Sequence, residues 1–295
     1  MTLPARITEL PCWRGALTGA PLPGGLSNEI WKVTDNTGPH VVRFGSDYPF
    51  HHVERARELM TTRAAHAAGF GPAVTYAGPG VMVTAFLSAR TWTGADLCAD
   101  PDRVGRLLHD FHHQMPAHIS GTAHLFWVFH VIRDYARSLK AGNSPFTPRL
   151  PDFLTMAEGY ESVQIPLPII FGHNDLLPAN ILDDGRRLWL IDYEYAGFST
   201  ALFDLAGAAS NAGMSTDQST TLLTAYFGET PSKPLQRAFD AMQCASLLRE
   251  AMWAMISALH LSAPGVDYTA YAQDNLTRLH AMHDGFLSRY GHIPS

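Results

Sequence analysis

The chain has 295 residues, 46% of them hydrophobic and only 16% charged, with a formal net charge of −6. That composition excludes a disordered or coiled-coil chain, and the acidic balance argues against a broad nucleic-acid surface. It leaves room for one large or two modest globular domains with a substantial core.

The three scattered cysteines, Cys12, Cys98 and Cys244, make neither a disulfide frame nor a Cys-based metal site. They suit a reducing, cytoplasmic setting. The N-terminus, MTLPARITELPC, lacks the apolar core of a signal peptide. Leu22 to Val33, LPGGLSNEIWKV, gives two apolar segments around Gly24, Gly25, Ser27 and Asn28. Glycines there allow either a plain hairpin or a tight turn whose backbone N–H groups face an anion. His40 to Phe44 reads as a β-branched strand carrying one cation, Arg43, whose guanidinium suits bidentate phosphate contact. Val53 to Ala68 has apolar residues at helical spacing and ends at Gly69 and Pro72. The preceding His51-His52 pair reads as its solvated start. Val74 to Tyr76 and Val81 to Phe86 follow as a closing pair of strands.

Beyond residue 87 the pattern turns helical: Pro101 to Met115, Leu125 to Leu139, and Pro151 to Ser162, with a polar loop over Asn143 to Pro151. His109, His112 and His113 share the segment LLHDFHH. A pair spaced by four could bind zinc, but no third ligand or accompanying Glu is identifiable, so packing is the reading taken.

The chemistry concentrates between Phe171 and Gly197, FGHNDLLPANILDDGRRLWLIDYEYAG. Pro168 to Phe171 predicts a buried strand, and Gly172 releases the chain into a polar loop with His173, Asn174 and Asp175. Pro178 blocks a helix ahead of Asn180. Asp184-Gly185 turns a hairpin between Ile181-Leu182 and the strand Leu188 to Ile191, so Asp192 emerges at its end. A carboxylate, a carboxamide and a second carboxylate in this order suit phosphoryl transfer, with one base for an attacking hydroxyl and two hard oxygen ligands for Mg²⁺.

Helices then dominate: Thr200 to Asn211, Asp217 to Phe227, Pro234 to Leu261 and Tyr268 to Tyr290. The apolar stretch Ala251 to Leu261 is too short to span a bilayer. Glu250 and Trp253 share one helix face, with Tyr268 and Tyr271 after the next turn. An acid with aromatics can hold a cationic amine, and aromatics at this spacing also suit a core. Strands first and helices afterwards predict a two-lobed α+β architecture.

His-x-Asp-x-x-x-x-Asn followed by Ile-Asp is similar to the catalytic and metal loops of the protein-kinase-like small-molecule kinases. HNDLLPANIL and IDYEYAGFSTALFDLA resemble choline/ethanolamine kinases most closely; aminoglycoside phosphotransferases share the first motif. The resemblance implies a small antiparallel-sheet N-lobe for nucleotide (residues 1–87) and a larger, mostly helical C-lobe for catalysis and substrate (88–295). It implies Asp175 as base, with Asn180, Asp192 and a possible Glu194 as Mg²⁺ ligands. His173 braces the loop and Asp204 pins its backbone. Gly25, Ser27, Asn28 and Arg43 would hold ATP phosphates, with Glu58 or Glu54 as the partner of Arg43, and Val83 to Leu87 falls where related kinases have their adenine hinge. Glu250, Trp253 and Tyr271 would line the acceptor site, although Glu250 stands where choline kinases carry a first Trp. The expected activity is ATP- and Mg²⁺-dependent phosphorylation of a small amine-bearing alcohol, choline or ethanolamine first, then thiamine or an aminoglycoside. A non-catalytic nucleotide-binding pseudokinase and a metal-dependent hydrolase are the competing classes. The acceptor's identity, ATP against GTP, and the oligomeric state stay open at this level.

Overall fold

The computed structural model describes residues 3–22, 28–263 and 265–291. Its first part is an antiparallel sheet of five strands: β1 (Thr18–Pro21), β2 (Glu29–Asp35), β3 (Gly38–Phe44), β4 (Val74–Gly78) and β5 (Val81–Ala85), in the order β1-β2-β3-β5-β4. Alternate residues of a strand face one side, so Trp31 and Val33 of β2, Val42 of β3 and Val83 of β5 meet Ile7 in a small core. Ile7 comes from a short helix, α1 (Ala5–Thr8), that carries no helical period in the sequence. Arg43 stands opposite Ile30 and Met82 in the register.

The helix α2 (Arg55–Ala67) joins this sheet to the rest. Its Ala64 and Ala65 belong to the larger hydrophobic core, together with Phe70 just beyond it. Gly69, at φ +85°, ends it in the left-handed conformation that a side chain would oppose. The larger part holds the short strand β6 (Arg90–Thr91), α3 (Gly94–Ala99), α4 (Pro101–Gln114), α5 (Val128–Ala141) and α6 (Leu150–Ser162). β7 (Ile169–Gly172), β8 (Ile181–Asp183), β9 (Leu188–Leu190) and β10 (Gly197–Thr200) follow. The chain then runs through α7 (Ala201–Ala212), α8 (Thr216–Phe227), α9 (Lys233–His260) and α10 (Tyr268–Tyr290). Capping is local and explicit. Asp100 accepts the Arg103 N–H with Pro101 in the first turn of α4, and Ser232 accepts the Leu235 N–H at the start of α9.

α9 is the axis of this part. Every residue from Ala241 to Ser257 is buried, because α5, α6, α7 and α10 all pack on it, and most of that stretch is apolar, as a helix covered on all sides requires. A small antiparallel sheet lobe against a larger helical lobe is the architecture expected. The helical segments agree within about three residues with the periodicity, the usual error at helix ends. β6, β10 and α3 are unexpected elements: each is short, and β6 and β10 exist only through pairing with β8 and β7. Among the described residues no helix is long and apolar enough to cross a membrane.

Candidate active site

β7 delivers Asp175 into a loop that one carboxylate holds. Asp204, in the first turn of α7, accepts the backbone N–H of His173 and of Asn174, each at 2.7 Å. It also takes His112 Nε2 at 2.8 Å, and the other nitrogen of that ring meets the Tyr226 hydroxyl. Burial alone would raise the Asp204 carboxyl, but His112, His173 and these N–H donors hold it below the usual carboxylate range. Gly172 makes the approach possible. A Cβ there would lie 2.8 Å from Asn174 Oδ1 and 3.1 Å from Asp204 Oδ2.

The same loop reaches the hairpin of β8 and β9. His173 donates from Nε2 to the Ile191 carbonyl at 2.9 Å, and burial lowers its pKa so that the ring stays neutral. The Ile191 N–H binds the Asn180 carbonyl at 3.1 Å, and Asn180 Nδ2 donates to the Asp175 carbonyl at 2.9 Å. That bond commits the amide nitrogen and leaves the amide oxygen of Asn180 as the atom suited to a cation. Asp192 follows Ile191 at φ +67°, a left-handed conformation unusual for a residue with a side chain. Such strain persists where neighbours over-determine it, and here His173 and Asn180 grip the preceding residue. Asp175, Asn180 and Asp192 are thus tied to one loop cluster.

Charges from the sheet lobe close on this cluster. Arg43 forms an ion pair with Glu58 and donates from Nη1 to Asp192 Oδ1 at 2.7 Å. Glu58 is buried, whereas Glu54 is exposed, which settles the choice between them. Arg55 completes the network. Its Nη1 reaches Glu58 Oε2 at 2.7 Å and Glu194 Oε2 at 2.9 Å, and its Nη2 reaches Asn28 Oδ1 at 2.9 Å. Glu194 is buried, and burial with Asp192 nearby raises its pKa against the opposing pull of Arg55 and Arg43. Asp192 and Glu194 are thus each ion-paired to an arginine, Arg43 and Arg55 respectively. Gly25 and Ser27 lie outside the described residues. Two oxygen ligands beside a nucleotide suit Mg²⁺, which fills its other positions with water and phosphate. Among the described residues no three His, Cys, Asp or Glu gather as a dedicated metal cage.

The other side of Asp175 faces α9. Arg249 Nη1 lies 3.5 Å from Asp175 Oδ1 and 2.9 Å from Glu250 Oε2. Burial raises the Asp175 carboxyl well above its ordinary value, with Arg249 the main opposing influence. Glu250 also accepts the Tyr271 hydroxyl at 2.8 Å, and Trp253 donates to the Tyr195 hydroxyl at 2.9 Å. Glu250, Trp253 and Tyr271 therefore stand together. Yet the Trp253 indole is 7% exposed, stacked on His51 at 5.1 Å and edge-on to Tyr268 and Tyr271. It is partly a core side chain.

One expectation is corrected. His51 is not a solvated helix start but 1% exposed. The turn Pro49–His51 folds it under α9, where it meets the Tyr135 and Ser257 hydroxyls. Burial and the nearby Arg249 push its pKa down to about 2. Among the three histidines of α4, His112 braces the catalytic loop, while His109 and His113 stack on each other at 4.3 Å. Arg55 and Arg249 escaped the sequence reading. Arg249 had one signal: an Arg-Glu pair inside an apolar helical run, where charges are rarely buried unless partnered.

Comparison with known proteins bears on the family and the fold. The sequence model of the choline/ethanolamine kinase family matches residues 20–239. A probable ethanolamine kinase of Arabidopsis thaliana is 27% identical over 287 residues, covering 84% of this chain and 75% of the plant protein. Choline kinase B1 of Caenorhabditis elegans is 25% identical over 205 residues, covering 62% of this chain and 54% of the worm protein. The crystal structure of a choline/ethanolamine kinase family protein from Mesorhizobium loti matches with a TM-score of 0.76 at 27% identity, covering 95% of this chain and 93% of that one.

Proposed function

The chain belongs to the choline/ethanolamine kinase family of small-molecule kinases, and from that premise we propose that it transfers the terminal phosphoryl group of ATP to the hydroxyl of ethanolamine or a close amino alcohol. The observation that carries the reading is Asp175: a half-buried carboxylate with raised pKa, on a loop pinned by Asp204, between the cations of the sheet lobe and the acid and aromatics of α9 and α10. A base whose pKa is lifted toward the working pH accepts a proton more effectively in the transition state.

In this reading Asp175 orients the acceptor hydroxyl and takes its proton. Arg43, held by Glu58, contacts nucleotide phosphate. Asn180 and Asp192 would hold Mg²⁺, which supplies positive charge against the phosphate oxygens when bound. The ammonium group of the acceptor lies against Glu250, with Tyr271 and Trp253 as its apolar wall. A quaternary ammonium needs open aromatic faces, and Trp253 has one face covered by His51. A primary ammonium can instead donate hydrogen bonds to Glu250. That difference puts ethanolamine ahead of choline.

A coupled ADP-release screen with ATP and Mg²⁺ over ethanolamine, choline, thiamine and aminoglycosides tests the assignment. The expected result is turnover fastest with ethanolamine and lower by on the order of 10²-fold or more in Asp175→Ala. Exclusive turnover of thiamine or an aminoglycoside would replace the acceptor, and nucleotide binding without turnover of any alcohol would overturn the kinase reading.

A further inference from the structure

Arg249 stands beside Asp175 and Glu250, with no part in the roles proposed for Asp175, Arg43, Asn180 and Asp192. It is 3% exposed, in the buried middle of α9. Nη1 serves Glu250 and lies near Asp175, and the Tyr195 ring packs 4.4 Å from the guanidinium carbon. Its Nε and Nη2 are buried and meet no hydrogen-bond acceptor among the described residues. Unpaired buried donors are costly, most of all on a charged group.

A planar guanidinium with two unused donors recognises an oxyanion. An acceptor hydroxyl within hydrogen-bond reach of Asp175 is necessarily near this guanidinium, because Nη1 is 3.5 Å from the same carboxylate. The reaction then joins an anionic phosphoryl group to that oxygen. The bond from the acceptor oxygen to the γ-phosphorus forms as the bond from that phosphorus to the β–γ bridging oxygen breaks. The bond electrons leave with ADP, the hydroxyl proton passes to Asp175, and a phosphate monoester remains where a neutral alcohol stood.

We propose that Arg249 is a catalytic residue that binds the phosphoryl group on the acceptor side, with Nε and Nη2 donating to its oxygens as it arrives and in the phosphate ester product. The proposal rests on the kinase reading. It makes the Arg249-Glu250 pair a divided receptor, with Glu250 for the amine and Arg249 for the phosphoryl group.

The test compares wild type with Arg249→Met and Arg249→Lys, full chain, each checked for a native melting transition. Calorimetric binding of ethanolamine and of phosphoethanolamine is measured beside kcat and KM. Arg249→Met should lose phosphoethanolamine affinity by on the order of tenfold or more, and kcat by on the order of 10²-fold, with ethanolamine affinity changed by less than about threefold. Arg249→Lys keeps the charge without the fork and should fall between, and it serves alone if the Met variant does not fold. Unchanged phosphoethanolamine binding in the variants overturns the proposal. So does a wild type that turns over ethanolamine but does not bind its phosphate ester. So does a loss confined to acceptors bearing their own carboxylate, such as serine, because the oxyanion would then belong to the acceptor. Absence of ADP release with every alcohol in wild type counts against the kinase reading instead.

Discussion

The two sides of Asp175 are built on opposite principles. On the sheet-lobe side the two cations nearest Asp192 and Glu194 are answered by acceptors: Arg43 meets Glu58 and Asp192, and Arg55 meets Glu58, Glu194 and Asn28. On the α9 side the guanidinium of Arg249 keeps two buried donors with no acceptor among the described residues. Closed networks fix geometry, since removing one member strands the others. An open one is poised for a ligand. In the proposed function the first is a rigid frame for the nucleotide and the second a receptive face for the acceptor.

The contrast can be broken at several points. The largest effect is expected from Asp175→Ala, which removes the base and should lower turnover by on the order of 10² to 10⁴-fold, with an unchanged circular dichroism spectrum. Asp204→Ala strands two backbone N–H groups and His112, a loss of about 3–5 kcal/mol for breaking a buried, charged network. A drop in the urea midpoint should report it, together with activity. Glu58→Gln removes the shared anion of the two arginines. It should weaken nucleotide affinity more than acceptor affinity, and cost about 1–3 kcal/mol of stability for leaving buried donors without their charged acceptor.

The smallest effect is a slope. His51 is buried with its folded pKa pushed down to about 2, below the roughly 6.5 of an unfolded histidine. The unfolded chain therefore binds the extra proton first. Stability is complete above about pH 6.5 and falls as pH drops below it, by up to about 1.4 kcal/mol per pH unit for this single group. Urea unfolding between pH 7 and pH 5 should show that fall, and His51→Gln should flatten it by up to that amount.

Much of the frame was legible because its signals are local. Gly172, Pro178 and Asp184-Gly185 punctuate one contiguous stretch, and the turn chemistry of each residue sets the path that brings Asp175, Asn180 and Asp192 to one cluster. α2, α4 and the later helices announced themselves through periodicity. What the sequence hid was long-range. The burial of His51 depends on α9, more than two hundred residues away, packing over the turn. β6 and β10 are too short to have a period and exist through their partners. Arg55 looked like one of many charges on a helix until Glu194 and Asn28 closed around it. The choice between Glu54 and Glu58 needed the register of α2 against β3.

The most direct measurement is ³¹P NMR of product formed from ATP, Mg²⁺ and ethanolamine. The account predicts a phosphate monoester resonance with the wild-type chain and none above background with Asp175→Ala. An equal yield of the ester from the Asp175→Ala chain, or inorganic phosphate as the sole product of the wild type, would contradict it.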